Sequence, residues 1–179
     1  FNGDNYTAEW RKEAARRGLP NLTKSPEALK ALISKREIEM FVKYSVLSER
    51  ELHSRYEVYH EAYEKTVAIE AGCAATMVKT MIAPAVFVYI GRLAALLKDA
   101  KAVGAGKTNM TKRLLSEITA NAEDMLTSLK GLEAVTQKGD SAKMLAAMTE
   151  VREVVDRLET VVPNELWPLP SYTEMMFML

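Results

Sequence analysis

Three stretches of the sequence carry residue types that could do chemistry. The first is GAGKT at 104–108, because phosphate-binding loops have the pattern GxxxxGK[ST]. That pattern needs a glycine five positions before Gly106, where this chain has Lys101. It also needs a preceding strand, whereas the residues before Gly104 are typical of a helix. The sequence therefore predicts a turn between helices at GAGKT.

The second stretch is HEAYE at 60–64, which resembles the start of a zinc-binding helix. A zinc helix of this type carries a second histidine where this chain has Glu64. His53 and His60 lie seven residues apart and share a helix face, but no cysteine or further histidine accompanies them. One imidazole among scattered carboxylates is not a zinc site. We therefore interpret both histidines as solvated or paired side chains.

The same helix carries Glu57, Glu61 and Glu64, which suggests a carboxylate-bridged metal site. Such sites need a Glu-x-x-His motif on each of two facing helices. Glu57 and His60 form one such motif, and the sequence has no second copy. The plainer interpretation is a charged outer face beside a tyrosine stripe formed by Tyr56, Tyr59 and Tyr63.

The third candidate is Cys73, which lies mid-helix in AGCAAT without a histidine or basic neighbour in sequence to lower its pKa. We expect a small buried thiol rather than a nucleophile. A single cysteine excludes an internal disulfide and favours a reducing compartment such as the cytoplasm. From the residues alone we predict no catalytic, cofactor-binding or metal-binding residue in this chain.

Charge and hydropathy exclude two classes of partner. Lys+Arg and Asp+Glu both number 24, so no net field attracts nucleic acid or anionic lipid. The most apolar stretch, 71–97, is divided by Lys79 and Arg92, and its longest uncharged run, Thr80–Gly91, has 12 residues. A membrane span needs roughly 20 apolar residues. We expect a helix buried on most sides within a bundle.

The elements that would position these residues are helices. A first helix is predicted from Tyr6 or Thr7 to Arg17, and Gly18 ends it. Ser25 is the expected cap of a second helix, with Pro26 at its first position. Ser-x-x-Glu capping boxes at 34–37 and 48–51 mark two more helix starts. Residues 1–47 are therefore predicted to form short helices.

From residue 48 onward the pattern predicts three long helices. The first has no stop signal before Gly104 and should be kinked or interrupted near Pro84. The others should span about 112–137 and 142–162. Their apolar seams have spacings of three and four residues: Val67, Ala71, Ala74, Val78, Met81, Ala85 and Val88; then Leu115, Ile118, Ala122, Met125, Leu129 and Leu132; then Met144, Met148, Val151, Val155, Leu158 and Val162. The predicted fold is all-α, an antiparallel three-helix bundle at 48–163 preceded by short helices.

Residues 164–179 form an unusually apolar tail. Pro163 should end the last long helix, and SYTE at 171–174 could cap one further short turn. Such a tail should dock either on its own bundle or on something outside this chain. Its apolar members are Trp167, Leu169, Tyr172, Met175, Met176, Phe177, Met178 and Leu179.

Several short sequence segments, in a fixed order, are more specific than the apolar pattern that any helical bundle requires. They are FNGDNYTAEW at the start, RGLPNL at 17–22, EALKAL at 27–32, SRYE at 54–57, IEA at 69–71, APAV at 83–86, LET at 158–160 and WPLPSY at 167–172. Together they resemble the C-terminal region of type III (long-form) glutamine synthetases. The likeness spans the chain, is densest at both ends, and fails at the ending SYTEMMFML, where an acidic, glycine-containing version is expected.

The resemblance implies that Phe1 follows a catalytic domain and that residues 1–47 adjoin it. The parent would be a glutamate–ammonia ligase that uses ATP and magnesium or manganese in a ring-shaped cytoplasmic homo-oligomer. The family's metal, ATP and glutamate ligands have no counterpart here. The expected role is therefore an inactive structural scaffold that contacts its own catalytic domain and neighbouring subunits, with no nucleic acid and no membrane.

Two alternatives remain open at this stage. One is a free-standing helical adaptor that grips a partner helix through its apolar seam or tail. The other is a helical domain that binds a small effector between its helices, for which the apolar seams give no support.

Overall fold

A computed structural model describes residues 2–104 and 106–177, apart from the side chain of Tyr172. The described residues contain helices and no strand, which confirms the all-α prediction. The α-helices are α1 (Ala8–Arg16), α2 (Ser25–Leu29), α3 (Lys35–Lys43), α4 (Glu49–Met77), α5 (Ala83–Ala102), α6 (Asn109–Lys138), α7 (Ser141–Glu159) and α8 (Tyr172–Met176). A 3-10 turn, Lys30–Ile33, follows α2, and a π-helical turn, Val78–Ile82, joins α4 to α5.

The chain divides into two compact units, Phe1–Lys65 and Thr66–Leu179. In the first unit, α1 begins where the sequence predicts, because the Thr7 side chain accepts a hydrogen bond from the Trp10 N–H. It also ends as predicted, with Gly18 in the left-handed region at φ +71°. Residues in α1, α2 and α3 are at most half-buried.

Both predicted capping boxes of this unit lie at helix starts. Ser34 accepts from the Glu37 N–H, and its hydroxyl contacts the Glu37 carboxylate. Ser48 and Glu51 form the full reciprocal pair, described below. The prediction for α2 is wrong by one position: Ser25 is the first helical residue, and the cap is Lys24, which makes no side-chain capping bond.

The long helix runs without a break from Glu49 to Ala102, over 54 residues. The predicted interruption near Pro84 is the π turn, in which the Ala83 N–H donates to the Val78 carbonyl five residues earlier. Proline has no N–H to donate and its ring crowds the carbonyl four residues before it. A widened turn just ahead of Pro84 relieves that crowding while the helix continues.

The seam predicted for this helix is correct as far as Val78, the first residue of the π turn, and wrong beyond it. Val67, Ala71 and Val78 are buried, whereas Met81 and Val88 are 38% and 49% exposed. The other two predicted members, Ala74 and Ala85, are half-buried. The buried positions beyond Val78 are Ile82, Ala83, Val86 and Leu93. A π turn holds one residue more than the regular helix, so every later side chain is rotated away from the strict heptad.

In the second unit, α6 packs against both α5 and α7. The seams predicted for α6 and α7 are confirmed at most positions, and Leu115 and Met148 are half-buried. The buried residues of these helices are Ile118, Ala122, Met125, Leu129 and Leu132 of α6, and Met144, Ala147, Val151, Val154, Val155 and Leu158 of α7.

The two ends of the tail lie in different environments. Trp167 is 8% exposed, so this part of the tail docks on the chain itself. Met175, Met176 and Phe177 are exposed. Met178 and Leu179 lie outside the described residues. The capping box that the sequence predicts at Ser171 and Glu174 is present at the start of α8.

The sequence argument against a membrane span needs correction. By length and composition the helix Glu49–Ala102 could cross a membrane, since an 18-residue window within it has a mean hydropathy of 1.8. Only 22% of that window is buried, so the expectation of a helix buried on most sides is also wrong. One such helix is weak support for a membrane span, and its charges Lys79 and Arg92 pair with Glu133 and Glu165 of the same unit.

Candidate functional site

GAGKT connects α5 to α6. Gly104 takes the left-handed conformation at φ +70°, and Thr108 stands at the start of α6 without a side-chain capping bond. Ala105 lies outside the described residues. A 20-residue helix, α5, precedes this connection where a phosphate loop requires a strand. The prediction of a turn between helices is confirmed.

The two histidines of α4 are surface residues that face carboxylates on their own helix. His53 Nε2 lies 3.9 Å from Glu49 Oε1, and His60 Nδ1 lies 3.7 Å from Glu64 Oε2. The His60 ring also stacks at a tilt on Tyr56, with 5.6 Å between ring centroids. Both histidines thus have the surface positions expected of solvated or paired side chains.

The glutamates of α4 do not converge on a common point. Glu61 pairs with Lys65 at 2.6 Å, and the hydrogen bond from Lys65 lowers the pKa of Glu61. Among residues 2–104 and 106–177, no group of three or more His, Cys, Asp or Glu side chains could hold a metal ion. The side chains that the structure describes therefore offer no ligand set for a divalent metal.

Cys73 is exposed, so the prediction of a buried thiol is wrong. The spacing of Cys73 from the seam residues already predicts exposure. Cys73 is two residues beyond Ala71, and two residues turn a helix by about 200°. A residue two positions after a seam residue therefore lies on the opposite face.

The first unit contains a cavity of about 600 Å³ that the sequence did not predict. It lies between α1 and the GLPN segment, and Trp10, Leu19 and Pro20 supply its apolar walls. Arg11 is the one ionisable residue among the lining residues that the structure describes. A single cation beside apolar walls can contact a side chain or a small anion, but it offers no acid–base pair.

A second, apolar groove of the same unit lies between α2 and α4. It has a volume of about 530 Å³ and contains two members of the predicted tyrosine stripe, Tyr59 and Tyr63. Ala28, Leu29 and Leu32 line the other side. The stripe therefore faces an apolar groove as well as the charged outer surface that the sequence predicts.

In the second unit, Trp167 carries a buried hydrogen-bond donor, its indole Nε1, without an acceptor among the described residues. A buried donor without a partner costs about 1–3 kcal/mol. The neighbouring Glu165 pairs with Arg92 at 2.5 Å and ties this part of the tail to α5.

Comparison with known proteins gives one family and several relatives. The family model described as the glutamine synthetase C-terminal domain matches residues 1–101. The chain is 32% identical to the type-3 glutamine synthetase of Dictyostelium discoideum, over 99% of this chain and 26% of that protein. It is 29% identical to a glutamine synthetase of Butyrivibrio fibrisolvens, over 100% of this chain and 27% of that protein. The chain thus spans about a quarter of the length of the curated relatives it matches.

Proposed function

Because this chain belongs to the glutamine synthetase C-terminal domain family, we propose that it is the helical scaffold region of a type III glutamine synthetase. The parent enzyme would join ammonia to glutamate with ATP and a divalent metal to give glutamine. Residues 1–47 would adjoin the catalytic domain. Residues 48–163 would form an antiparallel bundle, and residues 164–179 would dock as a tail. The family match is the observation that carries this proposal.

The distribution of polar side chains supports a scaffold role. In the described residues the charge pairs lie at the surface, and most of them join residues three or four apart on one helix, such as Glu13 with Arg16 and Arg17. Pairs of this kind stabilise helices rather than position a substrate. Long-range pairs, such as Arg157 with Asp124, join neighbouring helices of one unit.

The proposed partners are the catalytic domain of the same polypeptide and neighbouring subunits of a cytoplasmic ring-shaped oligomer. Exposed apolar side chains in both units support this, because a protein surface that contacts a partner is richer in such groups. Tyr44, Val46 and Ile69 are each more than 60% exposed. Neither nucleic acid nor membrane is among the proposed partners, given equal numbers of acidic and basic residues.

Calorimetry tests the scaffold role. We expect the chain of 179 residues to give no saturable heat with ATP and magnesium. A full-length gene product should make glutamine from glutamate, ammonia and ATP. Saturable nucleotide binding by the chain alone would overturn the scaffold role, and a full-length product without this activity would overturn the parent function.

A further inference from the structure

The cavity between α1 and the GLPN segment, which we call the α1 cavity, has walls fixed by main-chain hydrogen bonds. The Gly18 N–H donates to the Ala15 carbonyl at 3.0 Å. The Leu19 N–H donates to the Ala14 carbonyl, also at 3.0 Å. Together with the left-handed Gly18, these bonds turn the chain back so that Leu19 and Pro20 stand beside α1. The cavity therefore exists without an occupant, as ligand sites usually do.

The α1 cavity combines apolar walls with polar groups and one charge. Trp10 and Leu19 are among its apolar walls, whereas Asn21 and Thr23 add an amide and a hydroxyl group. Arg11 supplies the charge, and a guanidinium can bind a carboxylate through two parallel hydrogen bonds. An occupant that fits all of these walls carries a carboxylate beside an apolar group.

Positive charge is concentrated around the cavity, although the whole chain is neutral. Residues 10–24 contain five basic residues and one acidic residue, a net charge of +4. The acidic residue, Glu13, already pairs with Arg16 at 2.8 Å and with Arg17 at 2.7 Å. Arg11 has no ion-pair partner among the residues that the structure describes. This excess of positive charge attracts an acidic partner and disfavours a basic one.

Large apolar side chains near the cavity are open to solvent. Tyr6 is 93% exposed, Leu19 is 49% exposed and Leu22 is 47% exposed. Exposed apolar groups of this size next to a charged cavity are typical of a surface that a protein partner covers. A small free anion would leave all three side chains in water, so their exposure favours a protein segment as the occupant.

The proposed parent places one protein segment beside this cavity. The matching family model is a C-terminal domain, and the chain spans about a quarter of its relatives' length, so the catalytic region would precede Phe1. Asn5 of the cavity wall is four residues after Phe1, at most about 14 Å of extended chain. A segment tethered this closely has a high effective concentration at the cavity and competes well against free partners.

We propose that the α1 cavity receives an acidic side chain and an apolar neighbour from the catalytic region that precedes Phe1 in the parent enzyme. The carboxylate pairs with Arg11, and the apolar group packs between Trp10 and Leu19. This inference rests on the proposed function and assigns the contact by which residues 1–47 adjoin the catalytic domain. The contact is a docking site, because Arg11 is the one ionisable residue among the described lining residues.

Thiol labelling tests whether the cavity is covered in the full-length gene product. Asn21 lines the cavity and is exposed in this chain, so Asn21→Cys should react quickly with N-ethylmaleimide in the chain of 179 residues. In the full-length product it should react about tenfold more slowly, because labelling must wait for the docked segment to open. Equal rates in the two proteins would overturn the proposal.

Lys12→Cys is the matched control for this labelling. Lys12 is an exposed residue of the same helix that does not line the cavity. Its replacement should therefore react at similar rates in the chain of 179 residues and in the full-length product. Peptide mass spectrometry measures each labelled site separately. Equal protection at positions 12 and 21 would mean that the catalytic region covers α1 without using the cavity, which would overturn the proposal.

Carbodiimide coupling tests the chemistry of the occupant. Arg11→Lys keeps the positive charge and supplies a primary amine, which a carbodiimide joins to a carboxylate in contact with it. In the full-length product we expect an amide bond between residue 11 and an Asp or Glu that precedes Phe1, in a product with the mass of one chain. Lys12 should not couple to that region. A product of twice the chain mass, a link within this chain, or no link at residue 11 would overturn the proposal.

Charge reversal tests the ion pair. In the full-length product, Arg11→Glu should speed the labelling of Asn21→Cys several-fold at low salt, because like charges then face each other. Arg11→Lys should keep most of the protection. Lys12→Glu is the matched control, since it makes the same charge change one residue away, and should leave the rate nearly unchanged. Equal effects of the two reversals would contradict a specific pair at Arg11.

Two more measurements separate this inference from its alternatives. Glutamate should not slow the labelling of Asn21→Cys in the chain of 179 residues, and protection by glutamate would assign the cavity to a free ligand and overturn the docking. A full-length product that makes glutamine but leaves this thiol unprotected would overturn this inference alone. The proposed parent function fails by a different result, a full-length product that makes no glutamine.

Discussion

At the start of α4, the Glu51 carboxylate accepts hydrogen bonds from the Ser48 N–H at 2.8 Å and the Ser48 hydroxyl at 2.7 Å. The Glu51 N–H donates in return to Ser48 Oγ at 3.3 Å. The hydrogen bond from the Ser48 backbone, followed by that from its side chain, lowers the pKa of Glu51. One pair of side chains thus fixes where the 54-residue helix begins.

Ser48→Ala should destabilise the chain by about 1 kcal/mol, because the first turn loses its cap. Urea unfolding followed by circular dichroism measures the change. Ser54→Ala is the control, since Ser54 lies exposed within the same helix, and it should change stability by less than half as much. Equal losses in the two variants would show that the cap does not hold the helix start.

The same pair predicts an acid dependence. A carboxyl whose pKa is lowered by folding contributes stability above its unfolded pKa, about 4.3 for glutamate. That contribution is lost as the pH falls through the lower folded-state pKa. Between pH 5 and 2, stability should therefore fall less steeply in Glu51→Gln than in the unmodified chain. Parallel curves would contradict the linkage.

Met125 is fully buried at the centre of the α6 seam. Met125→Ala should cost about 2–5 kcal/mol, because it removes buried methylene groups and leaves a cavity. Met110→Ala is the matched control, since Met110 is 87% exposed. It should change the free energy of unfolding by less than about 0.5 kcal/mol. Urea unfolding compares the two. A similar loss for both would contradict the burial of this seam.

At the scale of elements, helix ends and the seams of α6 and α7 could be predicted because their causes are local. A capping box acts over four residues, and an apolar spacing of three and four persists along a regular helix. The core of α5 could not be predicted in this way. Pro84 indicated an interruption, but not its form. The long helix continues through a π turn, and as a result Val86 is buried where the heptad pattern predicted Val88.

Deleting Thr80 should convert the π turn into a regular helix and leave the stability nearly unchanged. The extra residue of the turn is lost, and the buried residues on both sides keep their alignment. Deleting Gly72 is the control, because Gly72 lies in regular α-helix and not in the π turn. Its deletion rotates Val67 and Ala71 by about 100° relative to Val78. Misplacing one buried valine costs about 1.5–3 kcal/mol.

Thermal melts of the two deletion variants give the comparison. Deletion of Thr80 should lower the melting temperature far less than deletion of Gly72. The reverse order would mean that the π turn is itself required for packing.

At the scale of the whole molecule, buried residues are unevenly distributed between the two units. In Thr66–Leu179 they line α5, α6 and α7, whereas α1, α2 and α3 have none. The sequence predicted this contrast in outline, through short helices at 1–47 and long seams afterwards. The groove beside Tyr63 could not be predicted, because it depends on two segments distant in sequence, α2 and α4. The cavity beside Trp10 is local, but it depends on how the residues after Gly18 fold back along α1, which the helix signals do not specify.

Hydrogen exchange should follow this contrast. Amides in residues 2–47 should exchange quickly, because few apolar contacts oppose local opening there. Amides at the centres of α6 and α7 should be the slowest. Mass spectrometry of peptides from both regions measures the rates, and equal protection would contradict the uneven burial.

The positions of the two tryptophans have an optical consequence. Trp10 belongs to one unit and Trp167 to the other, and the chain has no third tryptophan. Each unit therefore carries its own intrinsic fluorophore. The emission of a Trp10→Phe or a Trp167→Phe variant comes from a single site, so the two halves of the chain can be watched unfolding one at a time without an added label.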